Sequence, residues 1–299
     1  KRNKITQEIE YSLRKNIYIK TKKAWGYKQE RVSASSLVIQ TFIVNYDMKN
    51  NTMCWHKDNN IDNNFYKDIY PVTDKQYAAI KEIYDREGTV SEEEILEIVN
   101  DIQYKPDGWN PWYWRRSFEG VGYIGDKMDW KKEKAIYRVW ANILQKCYSP
   151  KVHKTRPYYK ECTVSEEWKN FQNFKIWYKE HKGKVKQDLD KDILFQGNKV
   201  YSPETCVYTT HFINTVFEDR GSKTLEETKD GKYKIFMVIM GEKNDLGVFD
   251  TKEECYEIFE KRKKEFIIKL AERTKKKDKI PECQYQAMIN WEVKAKEEK

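Results

Sequence analysis

The strongest constraint on the fold of this chain is a stripe of large aromatic side chains near its centre, spaced three residues apart. The stripe consists of Trp168, Phe171, Phe174 and Trp177. Because residues three and four apart lie on one face of a helix, the spacing predicts a helix with an aromatic face. Side chains of this size usually fill protein interiors, so we expect them to form a core and not a reaction site.

The rest of the chain is polar, with 35% charged residues among 299. This length suits two or three domains. The longest apolar run, Ile235 to Met240, is far shorter than the roughly 20 residues that span a bilayer. The first residues, Lys1-Arg2-Asn3-Lys4, lead into a polar segment and not into an apolar signal region. We therefore expect a cytoplasmic protein without membrane contact.

The cysteines and histidines do not predict a metal site. None of the six cysteines has C-x-x-C spacing, so we expect reduced, mostly buried thiols. Cys54-x-His56 is the one Cys/His pair close in sequence, and zinc there would need two ligands from distant segments. We predict no metal and no cofactor.

Residues 1–130 predict an α+β domain. The pattern favours a short helix over 5–13, a strand over 36–47, a turn over 48–51 and a return strand over 52–56. A helix is predicted from Thr73 to Arg86, ended by Gly88. Ser91 to Glu94 is a capping box that predicts the start of a second helix.

A tryptophan-rich loop over 106–116 is the main candidate binding site. Its candidate residues are Trp109, Trp112, Tyr113, Trp114, Arg115 and Arg116. Trp, Tyr and Arg are enriched in the hot spots of protein interfaces. Aromatic residues beside arginine also suit base stacking on single-stranded nucleic acid. The third interpretation is that the tryptophans fill the joint between two domains.

Residues 131–217 carry a motif with ordered spacing. It begins in a predicted helix from about Lys132 to Cys147, continues through the aromatic stripe, and closes with Leu189-Asp190-Lys191-Asp192 and Tyr201-Ser202-Pro203-Glu204-Thr205-Cys206. This pattern resembles the HNH-like modules of bacteriophage proteins. The resemblance implies a ββα-type core with helices, in which Lys191 stands at the histidine position and Thr205 at the asparagine position.

These two replacements predict that the module is not catalytic. A lysine with an ordinary pKa near 10.4 is protonated at neutral pH, so it neither activates water nor tolerates a nearby divalent cation. Asp190, Asp192 and His211 do not form a metal set that we would expect to work. We expect a scaffold without enzyme activity, with residual HNH-type nicking as the alternative.

Residues 218–272 resemble an AP2-like module, a three-stranded sheet backed by one helix. Gly231 to Ile239 alternates as a strand, Asn244-Asp245 predicts a turn, Leu246 to Phe249 predicts the next strand, and Thr251 caps a helix. In DNA-binding members of that family the sheet enters the major groove. The candidate nucleic-acid-binding residues are Lys232, Lys234 and Lys243.

Residues 273–299 predict a charged C-terminal arm with a short helix. Tyr285, Met288, Ile289 and Trp291 have helical spacing. These residues must be buried against the chain's own body or against another chain. We include Trp291 among the candidate protein-binding residues, in a docking or oligomerisation arm.

Together these segments predict a multi-domain α+β protein. The net charge of +9 favours an acidic partner, either nucleic acid or a protein surface. Size and layout are similar to the phage anti-Gabija inhibitors. The leading hypothesis is a non-catalytic phage protein that acts in the host cytoplasm, as a homo-oligomer, and inhibits a bacterial anti-phage defence complex. The alternative is a DNA-binding phage protein, with or without residual endonuclease activity.

Overall fold

The computed structural model describes residues 10–19, 24–183, 187–217, 225–277 and 280–295. Helices and strands are mixed, so the protein is α+β. The chain divides into two compact units. The first comprises Lys1–Lys15, Lys28–Glu180 and Val200–Ser202, and the second comprises Asn16–Tyr27, His181–Lys199 and Pro203–Lys299. The division runs through the predicted HNH-like segment, and the boundaries of the four predicted domains stay predictions.

The first part of the chain is mostly helical after an opening pair of strands. Its elements are β1 (Glu10–Ile19), β2 (Ala24–Ser33), α1 (Ala34–Phe42), β3 (Met53–His56), β4 (Ile69–Val72), α2 (Asp74–Glu87), α3 (Glu92–Asn100), α4 (Trp130–Tyr148), α5 (Pro150–Thr155), β5 (Thr163–Val164), α6 (Glu166–Lys169) and α7 (Phe171–His181). Short 3-10 helices include Tyr66–Asp68 and Pro111–Trp114.

The second part holds short strands, one longer hairpin and a long helix. Its elements are β6 (Asp188–Asp190), β7 (Val200–Tyr201), β8 (Val207–Thr209), α8 (His211–Phe217), β9 (Leu225–Glu227), β10 (Tyr233–Ile239), β11 (Glu242–Phe249), α9 (Lys252–Lys277) and α10 (Glu282–Asn290). No helix in the described ranges is long and apolar enough to cross a membrane.

Within the described residues the strands form small sheets. Strands β1 with β2, β3 with β4, β5 with β7 and β6 with β8 form two-stranded sheets, and β11-β10-β9 is a three-stranded sheet. The β5–β7 pair is parallel, whereas β3–β4, β6–β8 and both pairs of the larger sheet are antiparallel. The expected three strands and backing helix of residues 218–272 are present, and their AP2-like identity stays a prediction.

The strand predicted over 36–47 is wrong, because Ala34–Phe42 is helix α1. Ser33 caps this helix, and its side-chain oxygen accepts a hydrogen bond from the Ser36 N–H at 3.1 Å. The cap and the tertiary contacts outweigh the β-branched composition on which the prediction rested. The return strand β3 is real, but it pairs with β4 instead.

Two further local predictions are corrected. Residues 10–13, predicted as the end of a helix, belong to strand β1, and residues 5–9 of that prediction lie outside the described residues. The hairpin turn expected at Asn244-Asp245 lies at Met240-Gly241, where both residues have positive φ, 53° and 87°. Two successive positive φ angles are the conformation of the tight turn that suits the twist of a hairpin.

The predicted capping box at Ser91 is confirmed at the start of α3, and a second capping box, which was not predicted, lies at Thr73 at the start of α2. Gly88 ends α2 with φ of 73°, a left-handed conformation that costs glycine little. Short polar motifs of this kind act locally, so the sequence predicts them without knowledge of the packing.

The aromatic stripe is buried as predicted, but in two helices instead of one. Trp168 lies in α6, and Phe171, Phe174 and Trp177 lie in α7. Between them the backbone is extended at Asn170, because the Tyr123 N–H donates to Lys169 O and the Phe171 N–H donates to Tyr123 O, both at 2.9 Å. The helical hydrogen bonding is therefore interrupted at Asn170, where the backbone pairs with Tyr123.

Asn170 is the polar centre of the first unit. It is completely buried, its Nδ2 donates to Tyr46 O at 2.9 Å, and its Oδ1 accepts from the Gln172 N–H at 2.9 Å. Asn173, one turn later, donates to Asn45 O at 3.0 Å and accepts from the Met48 N–H at 3.1 Å. These two amides hold the turn after α1 against α7.

The second unit has two apolar clusters joined by α9. One contains Cys255 of α9 with Leu225 and Ile235 of the sheet. The other joins Ile267 and its neighbours in α9 to a group from the preceding segment and from α10. That group is Ile193, Val207, Ile213, Val216, Phe217 and Met288. The long helix therefore serves both the sheet and the β6–β8–α8 segment.

Gly125→Ala should destabilise the first unit much more than Gly120→Ala. Both glycines have a left-handed backbone, with φ of 76° and 72°, so each alanine carries a strain of about 1–2 kcal/mol. A Cβ at Gly125 would lie 2.2 Å from Asn170 Oδ1, whereas nothing lies within 4 Å at Gly120. Displacing the Asn170 amide should add roughly 1–3 kcal/mol.

Urea unfolding followed by circular dichroism measures the difference between the two variants. Gly120→Ala controls for backbone strain alone. Equal losses of unfolding free energy in the two variants would contradict the role assigned to Asn170.

Candidate functional site

Lys191 is buried at the position where the resemblance places a histidine. Its side chain is 8% exposed, and its Nζ donates to the two carboxylate oxygens of Asp192 at 2.7 and 2.8 Å. A third bond runs from Nζ to Asn198 O at 2.8 Å, and Asn198 Nδ2 donates back to Lys191 O at 2.8 Å. The ammonium group thus closes the loop from Lys191 to Asn198 upon itself.

The neighbouring acid, Asp190, accepts hydrogen bonds from the backbone of the same loop. Its Oδ1 accepts from the Asp192 N–H at 2.8 Å and from the Ile193 N–H at 2.7 Å. Burial raises the pKa of this carboxyl to about 6, although the two N–H donors oppose the shift. Asp190 therefore works as a backbone cap in this structure.

Thr205 and His211 lie on either side of β8, after the Lys191 loop. His211 begins α8, and its Nδ1 lies 2.7 Å from Asp188 Oδ2 at the start of β6. Thr205 lies in the turn before β8 and is half-buried. Within the described ranges, no three His, Cys, Asp or Glu side chains are grouped so that they could share a metal ion.

The tryptophan loop separates its aromatic residues into an inner and an outer set. Asn110 caps the 3-10 helix Pro111–Trp114, with its Oδ1 accepting from the Trp112 N–H at 2.9 Å. The rings of Trp109 and Trp114 face inward, 6.4 Å apart, and Trp114 packs on Tyr123 at 5.4 Å. Both residues are half-buried within the first unit, and the predicted role at a joint between two domains stays a prediction.

Trp112 and Arg115 form the outer set. Trp112 is 67% exposed, and the guanidinium carbon of Arg115 lies 4.5 Å from the centre of its ring. Arg116 is also exposed and has a long ion pair with Glu166, at 3.9 Å. Tyr113 is half-buried, and its carbonyl accepts from the Gly125 N–H at 2.8 Å. The exposed tryptophan–arginine stack is a rigid, amphipathic surface.

Trp291 packs into its own unit. Its ring lies 4.7 Å from that of Phe217, and Met288, one turn earlier in α10, is completely buried. Lys264 of α9 fixes the end of α10 by donating to Ile289 O and Trp291 O, at 2.8 and 2.5 Å. The structure therefore shows burial against the chain's own body, the first of the two alternatives for this segment.

Each candidate nucleic-acid-binding lysine of the three-stranded sheet has a carboxylate partner. Lys232 pairs with Asp250 at 2.8 Å, Lys234 pairs with Asp245 at 2.7 Å, and Lys243 pairs with Glu226. Lys234 and Lys243 also flank the ring of Phe236, at 5.2 and 4.8 Å. A phosphate that approaches this face must compete with the protein's own carboxylates.

An exposed aromatic group beside α1 is not among the sites predicted from the sequence. Phe42, Phe65 and Tyr66 are 65%, 52% and 43% exposed, and the Tyr66 ring lies 6.0 and 5.2 Å from the other two. The signal was present, because no residue from Val32 to Tyr46 is charged in a chain that is 35% charged. Reading that segment as a strand concealed it.

No protein-family model, no curated protein and no solved structure matches this chain.

Asp190→Asn should raise the stability of the second unit at neutral pH. The pKa of the Asp190 carboxyl is about 6 in the folded state, and its reference value is 3.8. The stabilisation by the buried, protonated carboxyl is therefore complete below pH 3.8 and is lost as the pH rises through 6. Asparagine keeps an Oδ1 acceptor for both N–H groups and carries no charge. The expected gain at pH 7.5 is on the order of 2 kcal/mol, falling towards zero near pH 4.

Chemical denaturation across this pH range measures the effect. Asp230→Asn, which removes an exposed carboxylate from the same unit, should show no such trend. A loss of stability in Asp190→Asn at pH 7.5 would mean that the fold requires the charge of Asp190.

Proposed function

We propose that this chain is a non-catalytic phage protein that binds and inhibits a bacterial anti-phage defence complex. The observation that carries the first part is the burial of Lys191, whose side chain donates hydrogen bonds to Asp192 and to Asn198 O of its own loop. A general base needs a free lone pair within reach of the water that it activates. The Lys191 amine is instead engaged as a donor to a carboxylate and to a carbonyl.

The exposed stack of Trp112 and Arg115 supports the binding part of the proposal. Interface hot spots are enriched in tryptophan and arginine, and they sit on rigid supports that lose little entropy on binding. Here Arg115 lies over the Trp112 ring, and the loop is tied down by the hydrogen bond from Gly125 to Tyr113. The net charge of +9 suits a target surface rich in carboxylates.

The named target within this class is the Gabija complex. Support comes from the size and layout that the chain shares with phage anti-Gabija inhibitors. A second support is the surplus of exposed apolar surface, including the group around Tyr66. Inhibition by covering a DNA-binding or nuclease surface needs a large interface, and a homo-oligomer would supply several copies of each patch.

Trp112→Ala combined with Arg115→Ala should weaken binding to purified Gabija complex by about 100-fold or more, as expected for the loss of two hot-spot residues. Biolayer interferometry measures the affinity, and plaque counts on a Gabija-bearing host measure the inhibition. The matched control is Phe195→Ala, which removes a 56% exposed aromatic side chain from the other unit.

Thermal unfolding must show that both variants keep the fold. Full binding by the double variant would remove the loop from the interface. If the wild-type protein does not bind Gabija and does not protect phage, the choice of target is wrong.

The second candidate function is DNA binding, favoured by the position of Phe236 between Lys234 and Lys243. If the sheet binds DNA, affinity should fall steeply with salt, with a slope near −0.9 for each phosphate contacted. Because the lysines are already paired, we expect a shallow slope and a Kd no tighter than about 10⁻⁶ M at physiological salt.

Fluorescence anisotropy with labelled duplex, and a nicking assay with Mg²⁺ and Mn²⁺, distinguish the two functions. Tight binding that Lys234→Ala and Lys243→Ala abolish together would favour the DNA-binding function. Nicking that Asp190→Ala abolishes would overturn the non-catalytic assignment.

A further inference from the structure

One segment of the first unit carries positive charge without any acidic residue. No Asp or Glu lies between Glu133 and Glu161, in a chain that has 48 acidic residues. The same segment contains seven basic residues, which are Lys134, Arg138, Lys146, Lys151, Lys154, Arg156 and Lys160. A cluster of one sign of charge raises the local potential and attracts partners of the opposite sign.

The second half of this segment folds into a short basic surface. Helix α5 (Pro150–Thr155) leads directly into a 3-10 turn, Pro157–Tyr159. Lys151 and Lys154 are three residues apart in α5, so they lie on one side of the helix. We call the exposed side chains of this helix and turn the α5 surface, which consists of Lys151, Lys154, Arg156, Tyr158 and Lys160.

Hydrogen bonds and a proline hold the backbone of the α5 surface in place. His153 Nε2 donates to Lys146 O at 3.0 Å, which joins α5 to α4. The Arg156 N–H donates to Val152 O at 2.8 Å where α5 ends. Pro157 opens the 3-10 turn, and its ring restricts φ at that position. The surface is therefore preorganised, so its backbone loses little entropy when a partner binds.

The four cations of the α5 surface have no carboxylate partner. Within the part of the chain that the structure describes, none of them belongs to an ion pair. The three-stranded sheet differs, because Lys232, Lys234 and Lys243 are each paired with a carboxylate. A phosphate that approaches α5 therefore displaces water and salt ions and does not compete with an acid of the protein.

Tyr158 adds an exposed aromatic ring among these cations. It is 62% exposed, and its ring centre lies 4.6 Å from that of Tyr159. Tyr159 is half-buried, and Lys146 Nζ lies 5.2 Å from the centre of its ring. Aromatic rings beside cations suit single-stranded nucleic acid, because its bases are free to stack on a side chain, whereas the bases of a duplex are stacked on each other.

We propose that the α5 surface binds single-stranded nucleic acid, with phosphates at its four cations and one base stacked on Tyr158. The cations without partners account for attraction to phosphates. The exposed ring favours a strand with free bases over a duplex or an acidic peptide. The α5 surface shares no residue with the tryptophan loop or the three-stranded sheet, so the inference does not depend on the proposed inhibition of a defence complex.

Fluorescence anisotropy with labelled oligo-dT and oligo-U, on the full chain and across a salt series, tests the proposal. Four phosphate contacts should give a slope of about −3 for the logarithm of affinity against the logarithm of salt concentration, at roughly 0.7 for each contact. Unlabelled duplex and polyglutamate should compete about tenfold less well, because neither offers a free base to Tyr158. The tighter of the two oligonucleotides identifies the kind of strand.

Charge and stacking are separated by variants of the α5 surface. Lys151→Ala combined with Lys154→Ala should reduce the slope by about 1.4, because two phosphate contacts are lost. Tyr158→Ala should weaken oligo-dT binding by about tenfold at an unchanged slope, and Tyr158→Phe should retain affinity because it keeps the ring. The matched control is Lys127→Ala combined with Lys131→Ala, which removes two exposed lysines near the start of α4 and should leave the slope unchanged.

Thermal unfolding shows whether each variant is folded. The proposal is overturned if neither oligonucleotide binds at about 100 μM protein in low salt, a concentration at which even non-specific binders associate. Equal competition by duplex or polyglutamate, or an equal change of slope in the two lysine pairs, also overturns it. Loss of binding in Trp112→Ala combined with Arg115→Ala, but not in Tyr158→Ala, would place the site on the tryptophan loop and overturn the assignment to α5.

Discussion

Two buried amides, Asn170 and Asn173, organise the first unit. A buried backbone carbonyl or N–H that lacks a partner is costly, and the turn after α1 has several such groups. The amides satisfy Asn45 O, Tyr46 O and the Met48 N–H, while the backbone around Asn170 pairs with Tyr123. The turn, the Tyr123 segment and α7 are therefore positioned by one polar network inside an aromatic core. The same network positions Tyr46 and Asp47, which line a cavity of the first unit.

The second unit uses charge in a comparable way. Lys191 and Asp190 are adjacent, both buried, and each satisfies groups of the same loop instead of neutralising the other. Burying two charges is expensive unless each finds good hydrogen bonds, so such a loop tolerates little rearrangement. A reaction centre needs the opposite condition, with groups left ready to exchange protons or bind a metal. In this fold the hydrogen bonds of Lys191 and Asp190 hold the loop in place.

The sequence predicted features that depend on residues close together in the chain, and it missed features that depend on contacts between distant residues. The capping box at Ser91 and the burial of the aromatic stripe follow from spacings of three or four residues. The break in the stripe at Asn170 depends on Tyr123, 47 positions earlier, and no local pattern encodes it. Helix α1 shows the same limit, because its β-branched residues favour a strand while Ser33 and packing impose a helix.

The candidate site, too, was predicted only in part. Composition alone identified the tryptophan loop, but it did not separate the exposed Trp112 and Arg115 from the inward Trp109 and Trp114. That separation follows from the 3-10 turn that Asn110 caps, because residues three apart, such as Trp112 and Arg115, share one side of such a turn and Trp114 does not. Likewise, the sequence did not predict that each of the three sheet lysines is paired with a carboxylate, as the structure shows.

The two faces of the tryptophan loop share one short backbone segment, and this links their properties. Trp112 and Trp114 lie in the same 3-10 turn, whose two ends are held by the Asn110 cap and by the bond from Gly125 to Tyr113 O. A Cβ added at Gly125 would collide with the Asn170 side chain, so the glycine lets the end of the loop lie against the buried amide. The short turn therefore positions the exposed Trp112 and the half-buried Trp114 together, and both depend on the polar network around Asn170.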